Sequence, residues 1–78
     1  MNTKEFWRRI FGFKKGDKVR IVNPNSSAFG LRGTILSVMR MRRFILYEVE
    51  VELLSKDGTT HLLWALFRAE DLEWIVDE

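Results

Sequence analysis

Tyr47-Glu48-Val49-Glu50-Val51-Glu52-Leu53 alternates apolar and acidic side chains without a break. Successive side chains of an extended chain point to opposite faces, so Tyr47, Val49, Val51 and Leu53 share one face and Glu48, Glu50 and Glu52 the other. Such a strand lies with one face on a core and one toward water, the habit of antiparallel sheets. Ser55-Lys56-Asp57-Gly58 follows as a hairpin turn, because Asp-Gly takes positive φ at low cost. Thr59 to Phe67, more uniformly apolar, is the strand that returns beside it. Its Trp64 reads as core, as does Trp74 further on.

Moving outward from this hairpin, Asp17-Lys18-Val19-Arg20-Ile21-Val22 carries the same period of two, with Val19 and Ile21 inward and Lys18 and Arg20 outward. Asn23-Pro24-Asn25-Ser26-Ser27 is loop chemistry, since proline donates nothing to a ladder and Asn and Ser satisfy the local backbone. Gly30 and Gly33 punctuate the entry to a strand over Thr34 to Met39, and Arg40-Met41-Arg42-Arg43 forms the tip that leads to Tyr47. Beyond the hairpin, Arg68 to Leu72 reads as one tight helical turn and Glu73 to Val76 as a short closing strand. At the other end, residues 2–11 spell a short amphipathic helix. Asn2 caps it with Glu5 in the capping-box position, and Phe6, Trp7, Ile10 and Phe11 share one face.

Five short strands with no room for crossover helices pair antiparallel, and closing them removes the edges that invite aggregation. The expected fold is therefore all-β, a five-stranded antiparallel barrel over residues 14–78, preceded by a helical appendage over 1–13.

Composition narrows the function. A chain of 78 residues buries only about 60 to 65 % of its unfolded surface, which leaves no room for a deep substrate cavity of several hundred Å³. Cysteine is absent, so disulfides, thiolate nucleophiles and cysteine-ligated metals are excluded. His61 is the single histidine and has too few companions for a transition-metal site. Ser26, His61 and Asp57 make a catalytic triad only on paper, since no spacing brings them together. The carboxylate row Glu48, Glu50 and Glu52, about 7 Å apart, lacks the two contrasting environments that acid–base work needs, and pairing with Lys18 or Arg20 or solubilising an edge accounts for it. No catalytic residue, metal or other cofactor, and no small-molecule substrate, is expected. No apolar run is long enough to span a membrane and no signal-peptide pattern opens the chain, so the expected location is cytoplasmic.

Charge is divided along the chain. Met1 to Arg43 carries a net +9 and Phe44 to Glu78 a net −7. Lys14, Lys15, Lys18, Arg20, Arg32, Arg40, Arg42 and Arg43 are candidates for one basic rim that meets phosphates, with Phe29 offering a stacking face beside Gly30. The plainer alternative is a solvated basic face with Phe29 in the core and the two charge halves interleaved in space. Phe6, Trp7, Ile10 and Phe11 have three readings: a plug for the barrel's open end, a peg for a partner's groove, or a peripheral membrane anchor.

Gly16-Asp17-Lys18-Val19-Arg20-Ile21 followed by Gly30-Leu31-Arg32-Gly33-Thr34-Ile35 resembles the KOW motif of SH3-like barrels in ribosomal proteins and transcription elongation factors. The tail Leu66 to Ile75 is similar to the one-turn helix and last strand that close many such barrels. The resemblance spans roughly residues 14–76 and implies an SH3-like barrel that binds RNA or DNA. The loop Asn23 to Phe29 departs from it, being longer and lacking the usual lysine before the first glycine. With Asn-Pro followed by Ser and Gly-x-x-Gly, the chain also looks like small accessory barrels of photosynthetic electron transport, which dock protein partners such as ferredoxin. The two expectations for partner are a nucleic acid on the basic rim, and an acidic protein engaged by the basic patch and the aromatic helix.

Overall fold

The computed structural model describes residues 12–75. Five strands run in chain order: β1 (Lys18–Ile21), β2 (Arg32–Arg40), β3 (Ile45–Leu54), β4 (Thr60–Phe67) and β5 (Leu72–Trp74), with one 3-10 turn, Ala69–Asp71, before the last. They form a single antiparallel sheet in the order β4-β3-β2-β1-β5. The expected helix over 2–11, with Phe6, Trp7, Ile10 and Phe11, lies outside the described residues, as does Val76. Among the described residues no helix is long and apolar enough to cross a membrane.

The alternation that specified β3 also sets its faces. Tyr47, Val49 and Val51 are buried on the inner face with Val19 and Ile21 of β1, Ile35 of β2, Phe67 of β4 and Leu72 of β5. Phe13 packs edge-on to Tyr47, ring centres 5.4 Å apart, so the packed core reaches back into the segment assigned to the appendage. Leu53, at the far end of the row, is only half-buried.

One expectation is corrected. Among the described residues no pairing joins β4 to β5, and the sheet is open where a closed barrel was expected. Closure needs strong coiling, supplied by bulges and strand glycines. Here β2 carries a single register shift, between Ile35 and Ser37, and its glycine, Gly33. Moreover β5 is three residues long against eight in β4, too short an edge to pair along it. The shift has a local consequence. Ile35 faces inward opposite Val49, whereas beyond it Val38 faces inward opposite Tyr47, so Leu36 is the extra residue and the hairpin end is turned over by one position.

Gly30 and Gly33 do different jobs. Gly30 has φ +85° and turns the chain into β2. Gly33 lies within β2, where a Cβ would come within 2.5 Å of Val49 Cγ1 and 2.8 Å of the Glu50 carbonyl oxygen. It permits a close approach of β2 to β3 and is no part of a turn.

Candidate anion-binding groove

The hairpin joining β2 to β3 ends in Met41-Arg42-Arg43-Phe44, closed by Met41 N donating to Phe44 O at 2.9 Å. It contains no glycine, proline, asparagine or aspartate, the residues that ordinarily make a tight turn. The two arginines at its apex are exposed, and Met41 and Phe44 beside them present apolar surface to solvent.

Facing this end is Arg68. The Ser55–Gly58 turn, with Gly58 at φ +89°, sets the β3–β4 register so that Phe67 pairs with Tyr47 and Leu66 with Glu48. The next residue, Arg68, therefore emerges beside the start of β3, and its guanidinium lies over the Phe44 ring, 4.8 Å from the centroid. The 3-10 turn holds it there. Asp71 accepts from the Arg68 backbone N–H (3.2 Å) through Oδ2 and from Asn23 Nδ2 (3.1 Å) through Oδ1, and its own N–H donates to Arg68 O at 3.0 Å.

Between the hairpin end and this turn lies a groove of about 570 Å³, open to solvent, with Arg42, Arg43 and Arg68 on its walls, Tyr47 at its base and Glu70 as its one acidic lining residue. Its size exceeds what chain length suggested, because it is a cleft between surface features and no hole in the core. Three guanidinium groups on one concavity supply forked donors suited to phosphate or carboxylate oxygens.

The other basic residues singled out in the sequence do not join this groove. Arg40 sits at the hairpin's base, on the rung with Ile45. Arg20 and Arg32 face each other across β1 and β2, and Lys18 faces Thr34. Arg32 and Arg40 are the two ends of β2, roughly 25 Å apart at the rise of an extended strand. Lys14 and Lys15 occupy the turn before β1, alongside Ile35, where Gly16 N donates to Ile35 O. The single rim expected from the sequence is thus two separate basic regions.

The Lys18–Arg20–Arg32 region is interleaved with acids. Arg20 pairs with Glu73 on its other side, and Lys18, Arg32 and Glu52 line one shallow hollow of about 250 Å³. Lys18 Nζ donates to Thr34 Oγ1 (2.8 Å) and Arg20 Nη1 to the Gly30 carbonyl (3.1 Å). Phe29 is 55 % exposed on the β1–β2 loop, while its neighbour Ala28 packs against the core.

The carboxylate row is not an edge. β2 lies between it and β1, and two of its members bond elsewhere, Glu48 accepting from Ser37 Oγ (3.4 Å) and Glu50 from Trp64 Nε1 (3.2 Å), while Glu52 shares the hollow with Lys18. His61, on β4, contacts Thr59, which donates to Asp57, whereas Ser26 bonds Ala28 N in the β1–β2 loop across the sheet. Among the described residues no group of three or more histidines and acids is placed to hold a metal.

Arg68 is the groove residue that sequence reading missed, because it lies in the acidic half. The signal was present: counting outward from Asp57-Gly58 along the hairpin brings residue 68 beside residue 46. Comparison with protein-family models, curated proteins and solved structures gives no match, so the groove's own geometry carries the functional reading.

Proposed function

We propose that the chain is a non-catalytic binding module that holds the phosphates of a single-stranded RNA or DNA in the arginine groove. The supporting observation is the convergence of Arg42, Arg43 and Arg68, from two distant parts of the sequence, on one open concavity. A partly exposed Phe44 beneath Arg68 and an exposed Met41 add apolar surface for unpaired bases. The strand order, with a one-turn helix feeding the last strand back beside the first, supports the resemblance to SH3-like domains.

The test is fluorescence anisotropy with a short labelled single-stranded RNA, the matching single-stranded DNA and a DNA duplex across a salt series. Three phosphate contacts predict that log affinity falls with log salt at a slope of about 2 to 3. The triple change Arg42→Gln, Arg43→Gln, Arg68→Gln is expected to abolish most of that slope, while Arg20→Gln and Arg32→Gln leave it nearly intact. Absence of binding at low salt, or binding indifferent to the triple change, overturns the assignment. In the former case the groove's arginines suit the carboxylates of an acidic protein instead.

A further inference from the structure

We propose that β4 is an interface between two copies of this chain, paired edge to edge across a two-fold axis at Trp64. β4 is an outer strand of the sheet, and among the described residues nothing pairs with its free side. Such an edge presents a row of unpaired N–H and C=O groups, and proteins normally blunt it with lysine, proline, a bulge or shortness. Thr60-His61-Leu62-Leu63-Trp64-Ala65-Leu66-Phe67 has none of these and is eight residues long.

Its side chains are as unprotected as its backbone. Leu62 is 53 % exposed, Leu63 52 %, Trp64 70 % and Leu66 51 %. These four side chains and the strand edge offer roughly 500 Å² per copy, so two copies bury on the order of 1,000 Å², the lower bound for a specific interface. An interface of this size is a weak, concentration-dependent one.

A second copy is favoured as occupant by the sequence of the strand itself. Antiparallel self-pairing across a two-fold normal to the sheet sets residue i against a partner residue whose number makes a constant even sum, and Leu62-Leu63-Trp64-Ala65-Leu66 is nearly palindromic about Trp64. With the axis there, Leu62 meets the partner's Leu66 and Trp64 meets the partner's Trp64 on the outer face. Leu63 meets the partner's Ala65 on the inner face. Moving the axis by one residue puts the partner's Thr60 or the partner's Arg68 against a leucine. The Trp64 indole N–H, donating to Glu50 Oε2, already fixes the ring, which lowers the entropy lost on association.

Charge also fits. The Glu48, Glu50 and Glu52 rows of the two copies lie three strand spacings apart, about 14 Å, beyond the screening length of about 8 Å at physiological salt. The same rows disfavour a polyanion on this face.

Analytical ultracentrifugation of the full 78-residue chain, from low micromolar to near-millimolar concentration, tests the proposal. The expected result is a reversible monomer–dimer equilibrium whose dissociation constant rises roughly 30-fold or more in Trp64→Lys and in Leu62→Lys. Leu54→Lys, exposed but on β3, leaves it unchanged. Because the lysine variants carry a risk of misfolding, amide hydrogen exchange of the unaltered protein is measured at both concentration extremes. Protection at residues 62–66 is expected to grow with concentration. A chain that stays monomeric throughout, a dimer that survives both lysine changes, or exchange at 62–66 independent of concentration overturns the proposal. Nucleic-acid binding is not part of this readout, so failure here leaves the groove unaffected.

Discussion

At Gly33 the backbone of β2 runs so close to β3 that a methyl group has nowhere to go. One obstacle is the Val49 side chain, which has rotamers to spend, but the other is the Glu50 carbonyl, which has none. Gly33→Ala is therefore expected to destabilise the domain by about 1–3 kcal/mol, read as a fall in the urea midpoint at unchanged slope. A shift near zero would mean that β2 and β3 separate freely there. Asp71 has a different role: its carboxylate ties the Arg68 amide to the Asn23 side chain, and its backbone N–H closes the 3-10 turn on Arg68 O. Asp71→Ala is expected to cost about 1–2 kcal/mol and to weaken anion binding, because Arg68 is no longer held over Phe44. Loss of stability without loss of affinity would separate Arg68 from the groove.

At the scale of elements, the β3–β4 hairpin carries the register on which the groove depends. Its turn is held by Asp57, whose Oδ1 accepts from the Thr59 hydroxyl (2.6 Å) and the Thr59 N–H (3.0 Å). The Thr59 hydroxyl first, and its N–H second, hold the carboxyl below its ordinary value of 3.8. A depressed carboxyl stabilises the fold above its unfolded value, and that contribution disappears as pH falls through the folded value. The difference in unfolding midpoint between the native chain and Asp57→Ala is thus expected to be full at neutral pH and to shrink on acidification below the usual carboxylate range. A pH-independent difference would mean that Asp57 acts in the turn without its charge. The β2–β3 hairpin shows the complementary device: Leu36, the extra residue, turns over the strand end that bears Arg40.

At the scale of the whole molecule, the two proposed surfaces answer oppositely to salt. The groove works through charge and weakens as phosphates find counterions, whereas the β4 edge works through apolar area and backbone pairing. One salt titration of the native chain therefore separates them: nucleic-acid affinity falls steeply while the monomer–dimer constant stays flat or tightens. What the sequence determined by itself was the set of strands, the inner and outer residues of β1 and β3, and the hairpin turns. Period-two patterns and turn chemistry are local, and Tyr47, Val49, Val51, Val19 and Ile21 are buried where alternation put them. The broken alternation Ile35-Leu36-Ser37-Val38 carried the bulge in plain view. Tertiary structure alone decided which strands became edges. Trp64 has the composition of a core residue and is 70 % exposed, because strand order, which depends on pairing partners far apart in sequence, left β4 without an outer neighbour among the described residues. It also split the basic rim in two and brought Arg68 from the acidic half to Arg42 and Arg43. Charge along a chain adds up by position, but charge in a site adds up by distance, and only the folded register converts one into the other.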